Sequence, residues 1–323
     1  MARRRLSWPP TRRRPSGPSS CEGRAVRAVV FAYSNVGDRC LRVLKARGVD
    51  VVLVATHTDH PGETLWFRRV ADTADELGLP WIYADDPKSP ALAQAVADAR
   101  PDVIFAFYYR SMIPVSLLAL APQGAYNLHG SLLPHFRGRA PTNWAVLVGA
   151  TETGATLHEM VAQPDAGFIV DQQAVPILPD DTAEQVFDKV CVAAEQVLWR
   201  SLPALLAGTP PRLPNDLAAG SYFGGRKPAD GRIAWTRPAA EVYNLIRAVA
   251  PPYPGAFTEV DGQRLIIAKA RRAHADIENA LADHATGLYH LNGQLYARCG
   301  DGGAIHLQET HVQGTLPISP AKD

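Results

Sequence analysis

The chain predicts an α/β fold, a doubly wound, mostly parallel sheet followed by a smaller OB-like antiparallel β-barrel. Three observations lead there. Short β-branched runs alternate with amphipathic segments over residues 26–206, a proline-rich stretch interrupts them, and short alternating runs punctuated by Gly, Asn and Asp follow. Strands alternating with helices require right-handed crossovers and a parallel sheet covered on both faces. Short strands at regular spacing favour a sandwich or barrel instead.

In chain order, residues 26–34 (VRAVVFAYS) predict a buried strand and 37–47 a helix ended by Gly48. Residues 51–57 (VVLVATH) predict a second strand, and 64–77 a helix that stops at Gly78. A short strand at 81–84 precedes a helix at 90–99, opened by Ser89. Residues 101–109 (PDVIFAFYY) predict a fourth strand, 112–120 a helix, and 124–128 a fifth strand that runs into polar residues. Residues 155–160 are strand-like, and 182–206 form the longest helical pattern, between Asp180–Asp181 and Gly208. The expected organisation is a head at 1–25, a catalytic domain at 26–208, a linker at 209–221 (TPPRLPNDLAAGS), a barrel domain at 222–312 and a tail at 313–323. The barrel strands are expected at 232–235, 255–260, 265–270, 287–291, 294–298 and 304–309, with one helix at 238–249.

Composition narrows the function classes. The 323 residues are 46% hydrophobic and 20% charged, an ordinary globular balance. No run approaches the ~18 apolar residues of a membrane span. The four cysteines lie far apart, at neither metal-ligand nor secreted-framework spacing, so the expected compartment is the cytoplasm. The net charge of +1 divides into +6 over residues 1–25, with seven arginines, and −5 over the rest. A mildly acidic body is not built to grip nucleic acid. The arginine- and proline-rich head reads as a disordered, dispensable tail, with a polybasic arm as the other reading.

The first strand ends in AYSNVGDRC, without the three spaced glycines of a dinucleotide fingerprint, and no GxxxxGK[ST] occurs. His57 and His60 in HTDH read as solvated loop histidines, since no third metal ligand converges on them. Ligands of doubly wound sheets bind beyond the carboxyl ends of the strands, which directs attention to GAYNLHGSLLPHFRGRAP at 124–141. Asn127 and His129, two apart on a strand, point to one side. An amide donor beside an imidazole can stabilise an oxyanion and deprotonate an attacking amine at one carbonyl. The alternative is that both merely satisfy a turn. Asp165 in QPDAG is read either as a turn residue or as the carboxylate that fixes the His129 tautomer and raises its pKa.

Asn127-Leu-His129, Ser131-Leu-Leu-Pro134, Arg137-Gly138 and Asp165-Ala-Gly167 together resemble the folate-dependent formyltransferases. VVFAYSNVG, THTDHPGE, PDVIFAFYYR, TETGATLHEM, DAGFIV and PYPGAF narrow the resemblance to the branch that formylates UDP-4-amino-4-deoxy-L-arabinose in lipid A modification and polymyxin resistance. The likeness covers roughly residues 26–310. The resemblance implies a Rossmann-like formyltransferase fold and 10-formyltetrahydrofolate as formyl donor, with no metal. It implies Asn127, His129 and Asp165 as catalytic residues. It places Ser111, Met112, Ile113, Arg139, Val161, Ala162, Gln163, Pro164 and Asp165 around the folate, and a nucleotide-linked amino sugar as acceptor. Tyr108, Tyr109 and Arg110 are candidates for the sugar nucleotide, or else a strand end packed by two tyrosines. Enzymes of that branch continue into a dehydrogenase–decarboxylase domain, an activity expected here to be absent or to lie on a separate chain; a homo-oligomer stays open. Where those enzymes often carry tryptophan before Pro-Gly, this chain has Tyr253. The rival acceptors are other amino sugars and methionyl-tRNA. Against the latter, THTDHPGE holds no lysine or arginine, and residues 210–323 carry twelve basic and eleven acidic side chains.

Overall fold

The computed structural model describes residues 25–59 and 65–313. The arginine-rich head up to residue 24, His60 and the tail from residue 314 lie outside them, and the expectations made for those residues are left there.

The first sheet is built from β1 (Arg27–Ala32), β2 (Asp50–Thr56), β3 (Trp81–Tyr83), β4 (Val103–Phe107) and β5 (Ala125–His129), all parallel. Two further strands, β7 (Glu152–Glu159) and β8 (Ile169–Pro176), extend it antiparallel, in the order β3-β2-β1-β4-β5-β7-β8. The order reverses between β1 and β4, the switch point at which such sheets open a ligand crevice. Both faces are covered. Ala28, Val30 and Ala32 of β1 face one apolar cluster with α1 (Ser34–Ala46), α2 (Val70–Leu77) and α6 (Ala183–Leu206). The alternate Val29 and Phe31 face a second cluster with α3 (Pro90–Ala99) and α4 (Val115–Leu118). This two-sided burial explains why β1 reads as a continuous apolar run rather than an alternating one.

Thr182 caps α6: its hydroxyl accepts from the Gln185 N–H at 3.4 Å while the Gln185 side chain accepts from the Thr182 N–H at 2.9 Å. Between β5 and β7 lie the short β6 (Arg137–Gly138) and α5 (Pro141–Leu147). The segment after α6 leads through β9 (Tyr222–Phe223), which pairs in parallel with β6. Then come a 3-10 turn at Pro228–Gly231 and α7 (Ala239–Val249). The second sheet comprises β10 (Ala256–Val260), β11 (Gln263–Arg272), β12 (Gly287–Leu291), β13 (Gln294–Arg298) and β14 (Ala304–Val312), with α8 (Ala275–Ala280) between β11 and β12. It is antiparallel in the order β10-β11-β14-β13-β12, a half-barrel whose outer strands, β10 and β12, do not pair among the described residues.

Local readings differ from the structure in three places. The helix expected from residue 64 starts at Val70, because residues 65–69 are irregular and only the turn from Val70 onward buries an apolar face. The helix expected at 112–120 shrinks to α4, since Pro114 can only stand before the first turn. Residues 232–235 form no strand; Arg232 makes a single bridge to Phe257. Sequence reading had not anticipated β8, α5 or α8.

Candidate active site

β5 delivers Asn127 and His129 to the carboxyl edge of the sheet, on the same side of the strand. Asn127 is half-buried and His129 is buried, with 7% of its surface exposed. The loop that follows is tied down from β7 and β8. The Thr156 hydroxyl donates to the Ser131 carbonyl at 2.6 Å and accepts from the Leu133 N–H at 3.1 Å. The Gln172 amide donates to the Leu133 carbonyl at 2.8 Å. The loop turns at Phe136, in the left-handed region at φ +56°, and aims its carbonyl back at the His129 ring.

That carbonyl lies 2.8 Å from His129 Nε2. A carbonyl can only accept, so Nε2 carries the proton and Nδ1 keeps the lone pair. His129 Nδ1 lies 3.6 Å from Asp165 Oδ1, too far for a good hydrogen bond and close enough for strong charge coupling. The backbone of Phe136, rather than Asp165, therefore fixes the tautomer. This corrects the sequence reading. Asp165 does raise the His129 pKa, but burial outweighs it and the pKa ends below its ordinary value.

Asp165 stands at φ +51° in the turn between β7 and β8. Burial alone would raise its pKa. The His129 and His158 rings beside it and the Gly138 N–H at 2.9 Å prevail and hold it well below the usual carboxylate range. Gly138 can approach because it has no side chain: at φ +97°, a Cβ there would stand 2.1 Å from the Phe223 carbonyl.

The antiparallel register sets His158 on β7 directly opposite Asn127. His158 is 2% exposed. Its Nδ1–H donates to the Glu159 carbonyl at 2.8 Å, so its Nε2 accepts from the Asn127 amide at 3.1 Å. The same Nε2 lies 3.5 Å from Asp165 Oδ1. One N–H of Asn127 is thus held and its orientation set, leaving the other for a substrate. Sequence reading quoted TETGATLHEM without giving His158 a role. The signal available was a histidine near the end of a strand-like run, TGATLH.

Of the residues expected around the folate, Ile113 is buried in the apolar cluster with α3 and α4. Met112 and Val161 are exposed apolar side chains, at 56% and 42%. Ser111 and Pro164 are half-buried, and Ala162 and Gln163 are exposed. The Arg139 guanidinium donates to the Arg110 carbonyl at 3.1 Å, joining the loop after β4 to the loop after β5.

Among the sugar-nucleotide candidates, Tyr108 turns inward at φ +58° and meets Phe187 edge to face, taking the packing reading. Tyr109 stacks on His57 at 4.1 Å, and Arg110 lies 4.2 Å over the Tyr33 ring at the switch point. His57 is buried and holds Asp85 at 3.3 Å, so it is not the solvated loop histidine expected. Among the described residues no group of three or more His, Cys, Asp or Glu side chains converges as a metal site.

This arrangement, a buried imidazole with an open Nδ1, an oriented amide and a carboxylate at the edge of a doubly wound sheet, suits group transfer at a carbonyl. Residues 26–202 match the family model of formyl transferases, and residues 226–322 match that of the formyl transferase C-terminal domain. The chain belongs to the formyl transferase family. It is similar in structure to an N-formyltransferase from Helicobacter canadensis solved with folinic acid and dTDP-3-aminofucose (TM-score 0.67, 18% identity, 88% of this chain and 99% of that one). A sugar 3N-formyl transferase solved with dTDP and 5-N-formyl-THF is equally similar (TM-score 0.67, 17% identity, 91% and 100%). HypX from Aquifex aeolicus, solved with tetrahydrofolic acid, aligns over 91% of this chain but 46% of its own (TM-score 0.63, 16% identity). At these identities the likeness shows the fold.

Proposed function

We propose that the chain transfers the formyl group of 10-formyltetrahydrofolate to the amino group of a nucleotide-linked amino sugar, with UDP-4-amino-4-deoxy-L-arabinose as the acceptor favoured by the sequence resemblance. The observation that carries the chemistry is the open Nδ1 of His129, left basic by the Phe136 carbonyl and set beside Asp165. The sugar acceptor draws support from a neighbour solved with dTDP-3-aminofucose and from the charge-balanced carboxyl part, which lacks the basic excess a tRNA would require. The cytoplasmic setting inferred from the cysteines belongs to the same reading.

The amine nitrogen bonds to the formyl carbon, and the bond from that carbon to the donor nitrogen breaks. His129 Nδ1 takes the proton from the attacking amine and passes it to the departing nitrogen. Asp165, ionised throughout, stabilises the imidazolium in between, as a carboxylate does beside a catalytic histidine. The free N–H of Asn127 donates to the formyl oxygen as it gains charge. Met112 and Val161 fit a flat heteroaromatic ring: both leave apolar surface open in the loops after β4 and β7.

Purified full-length chain with 10-formyltetrahydrofolate and a panel of UDP-, dTDP- and GDP-linked amino sugars plus methionyl-tRNA tests the reading. Turnover with the UDP-linked 4-amino sugar is expected. Turnover with methionyl-tRNA alone would overturn the sugar assignment.

A further inference from the structure

The stretch between α6 and β9, expected as a linker, lies across the two turns that support the candidate site. Ser221 grips Phe136 from both sides. Its hydroxyl accepts from the Phe136 N–H at 2.9 Å, its carbonyl accepts from the Arg137 N–H at 3.0 Å, and its own N–H donates to the Pro134 carbonyl at 3.2 Å. The peptide unit whose oxygen holds His129 Nε2 therefore has its N–H anchored on Ser221. Hydrogen bonds in series polarise one another. Phe136 needs such a grip, because a bulky residue in the left-handed region persists only when its surroundings hold it there. Gly220 lets the two chains meet: a Cβ there would lie 2.2 Å from the Pro134 carbonyl.

A second attachment lies six residues earlier. The Asn215 amide donates to the carbonyls of Asp165 and Gly167, at 3.0 and 3.1 Å. Its Oδ1 is buried with no hydrogen-bond partner, so the two carbonyls dictate the amide's orientation. Leu213 and Ile169 exchange two backbone hydrogen bonds of 2.9 Å just beyond. Asp165, like Phe136, is a left-handed non-glycine residue. Each strained turn beside the candidate catalytic set is thus pinned by one polar side chain of the same segment.

We infer that residues 213–223 form a positioning strap, in which Ser221 sets the His129 tautomer through Phe136 and Asn215 sets the Asp165 carboxylate. This rests on the proposed role of His129 and Asp165. Ser221 and Asn215 touch no reacting atom; they act through the backbone.

The test combines kinetics with a readout that needs no substrate. The full chain is labelled with ¹⁵N-histidine, and the His129 tautomer is read from long-range ¹H–¹⁵N couplings, its signal assigned with His129→Ala. Wild type is expected in the Nε2–H form. Ser221→Ala should mix the tautomers and lower kcat by about tenfold at nearly unchanged KM, the mark of a displaced catalytic group. Ser221→Thr, which keeps the hydroxyl, should restore both. Ser221→Cys, similar in size and a poor acceptor, takes the place of the alanine variant should that one not fold. Asn215→Asp sets an oxygen against two carbonyls and should shift the pH profile of kcat/KM. A wild-type tautomer and kcat in Ser221→Ala, or equal losses in Ser221→Ala and Ser221→Thr, would overturn the strap. If no acceptor in the panel is turned over, the tautomer still decides, so failure of the strap and failure of the proposed reaction are told apart.

Discussion

Two buried histidines at the same edge of one sheet each face an aspartate, yet their second hydrogen bonds make them different instruments. His57, just beyond β2, faces Asp85 through Nδ1 at 3.3 Å, and its Nε2 accepts the backbone N–H of Arg110 at 3.1 Å. His129, at the end of β5, faces Asp165 through Nδ1 at 3.6 Å, and its Nε2 donates to a backbone carbonyl at 2.8 Å. A backbone donor uses up the lone pair of His57 and leaves no basic nitrogen. A backbone acceptor uses up the proton of His129 and leaves Nδ1 basic. Burial is the leading influence on both and lowers both pKa values. Composition therefore does not separate a structural His–Asp pair from a chemical one; the polarity of one peptide group does.

If that contrast is right, His129→Ala is the most damaging substitution at the edge. Loss of the proton carrier should reduce kcat by about 10²–10⁴ with the fold intact, measured as steady-state turnover alongside a thermal melt. Asn127→Ala comes next. It removes the oxyanion donor and should cost about 10²–10³ in kcat while folate affinity, followed by fluorescence titration, changes little. Both residues act on one tetrahedral state, so the double variant should lose less than the product of the single losses.

Asp165→Asn sharpens the comparison by removing charge while keeping shape. Protonated His129 loses its counter-charge, so its pKa should fall further below the ordinary 6.5 and the acid limb of kcat/KM should move to lower pH. The rate should drop as well, by less than in His129→Ala, because the Phe136 carbonyl still holds the tautomer. A profile that keeps both its height and its position would return Asp165 to the bland role of a turn residue.

Sequence reading reached the sheet and the second domain's antiparallel texture because side-chain type and periodicity are written in the letters; the trio Asn127, His129 and Asp165 came from the family resemblance, and the structure brings the three to one place. What it missed follows a pattern. The tautomer of His129 is set by a carbonyl, and every residue has one, so Phe136 carries no signal of its role. His158 meets Asn127 only through the register of β5 against β7, a pairing of segments about 30 residues apart that no local pattern encodes. Proline and glycine density in 209–221 marks irregular backbone correctly, but it is silent on whether that backbone hangs free or is bonded to the loops beneath it. The polar side chains Asn215 and Ser221 within the stretch were the only hint.

The smallest effect on chemistry is expected at His57, and it is where the comparison could fail. His57→Leu removes the acceptor of the Arg110 N–H and the ring stacked on Tyr109. Losing this hydrogen bond together with the ring contact should lower the melting temperature. The loop it anchors leads directly into Ser111, Met112 and Ile113, so KM for the folate should rise while kcat stays within about twofold of wild type, as expected when only substrate binding is weakened. The linkage has a definite sign. The folded-state pKa of His57 lies below that of an unfolded histidine, about 6.5, so the unfolded chain takes up protons first as the pH falls. Stability from this site is complete above pH 7 and is lost as the pH drops below 6.5 toward the folded pKa. Denaturant unfolding at pH 7.5 and pH 5.5 should therefore show a smaller acid-induced loss in His57→Leu than in wild type. A collapse of kcat in that variant, comparable with His129→Ala, would mean that the second hydrogen bond does not separate the two histidines, and that His57 takes part in the reaction.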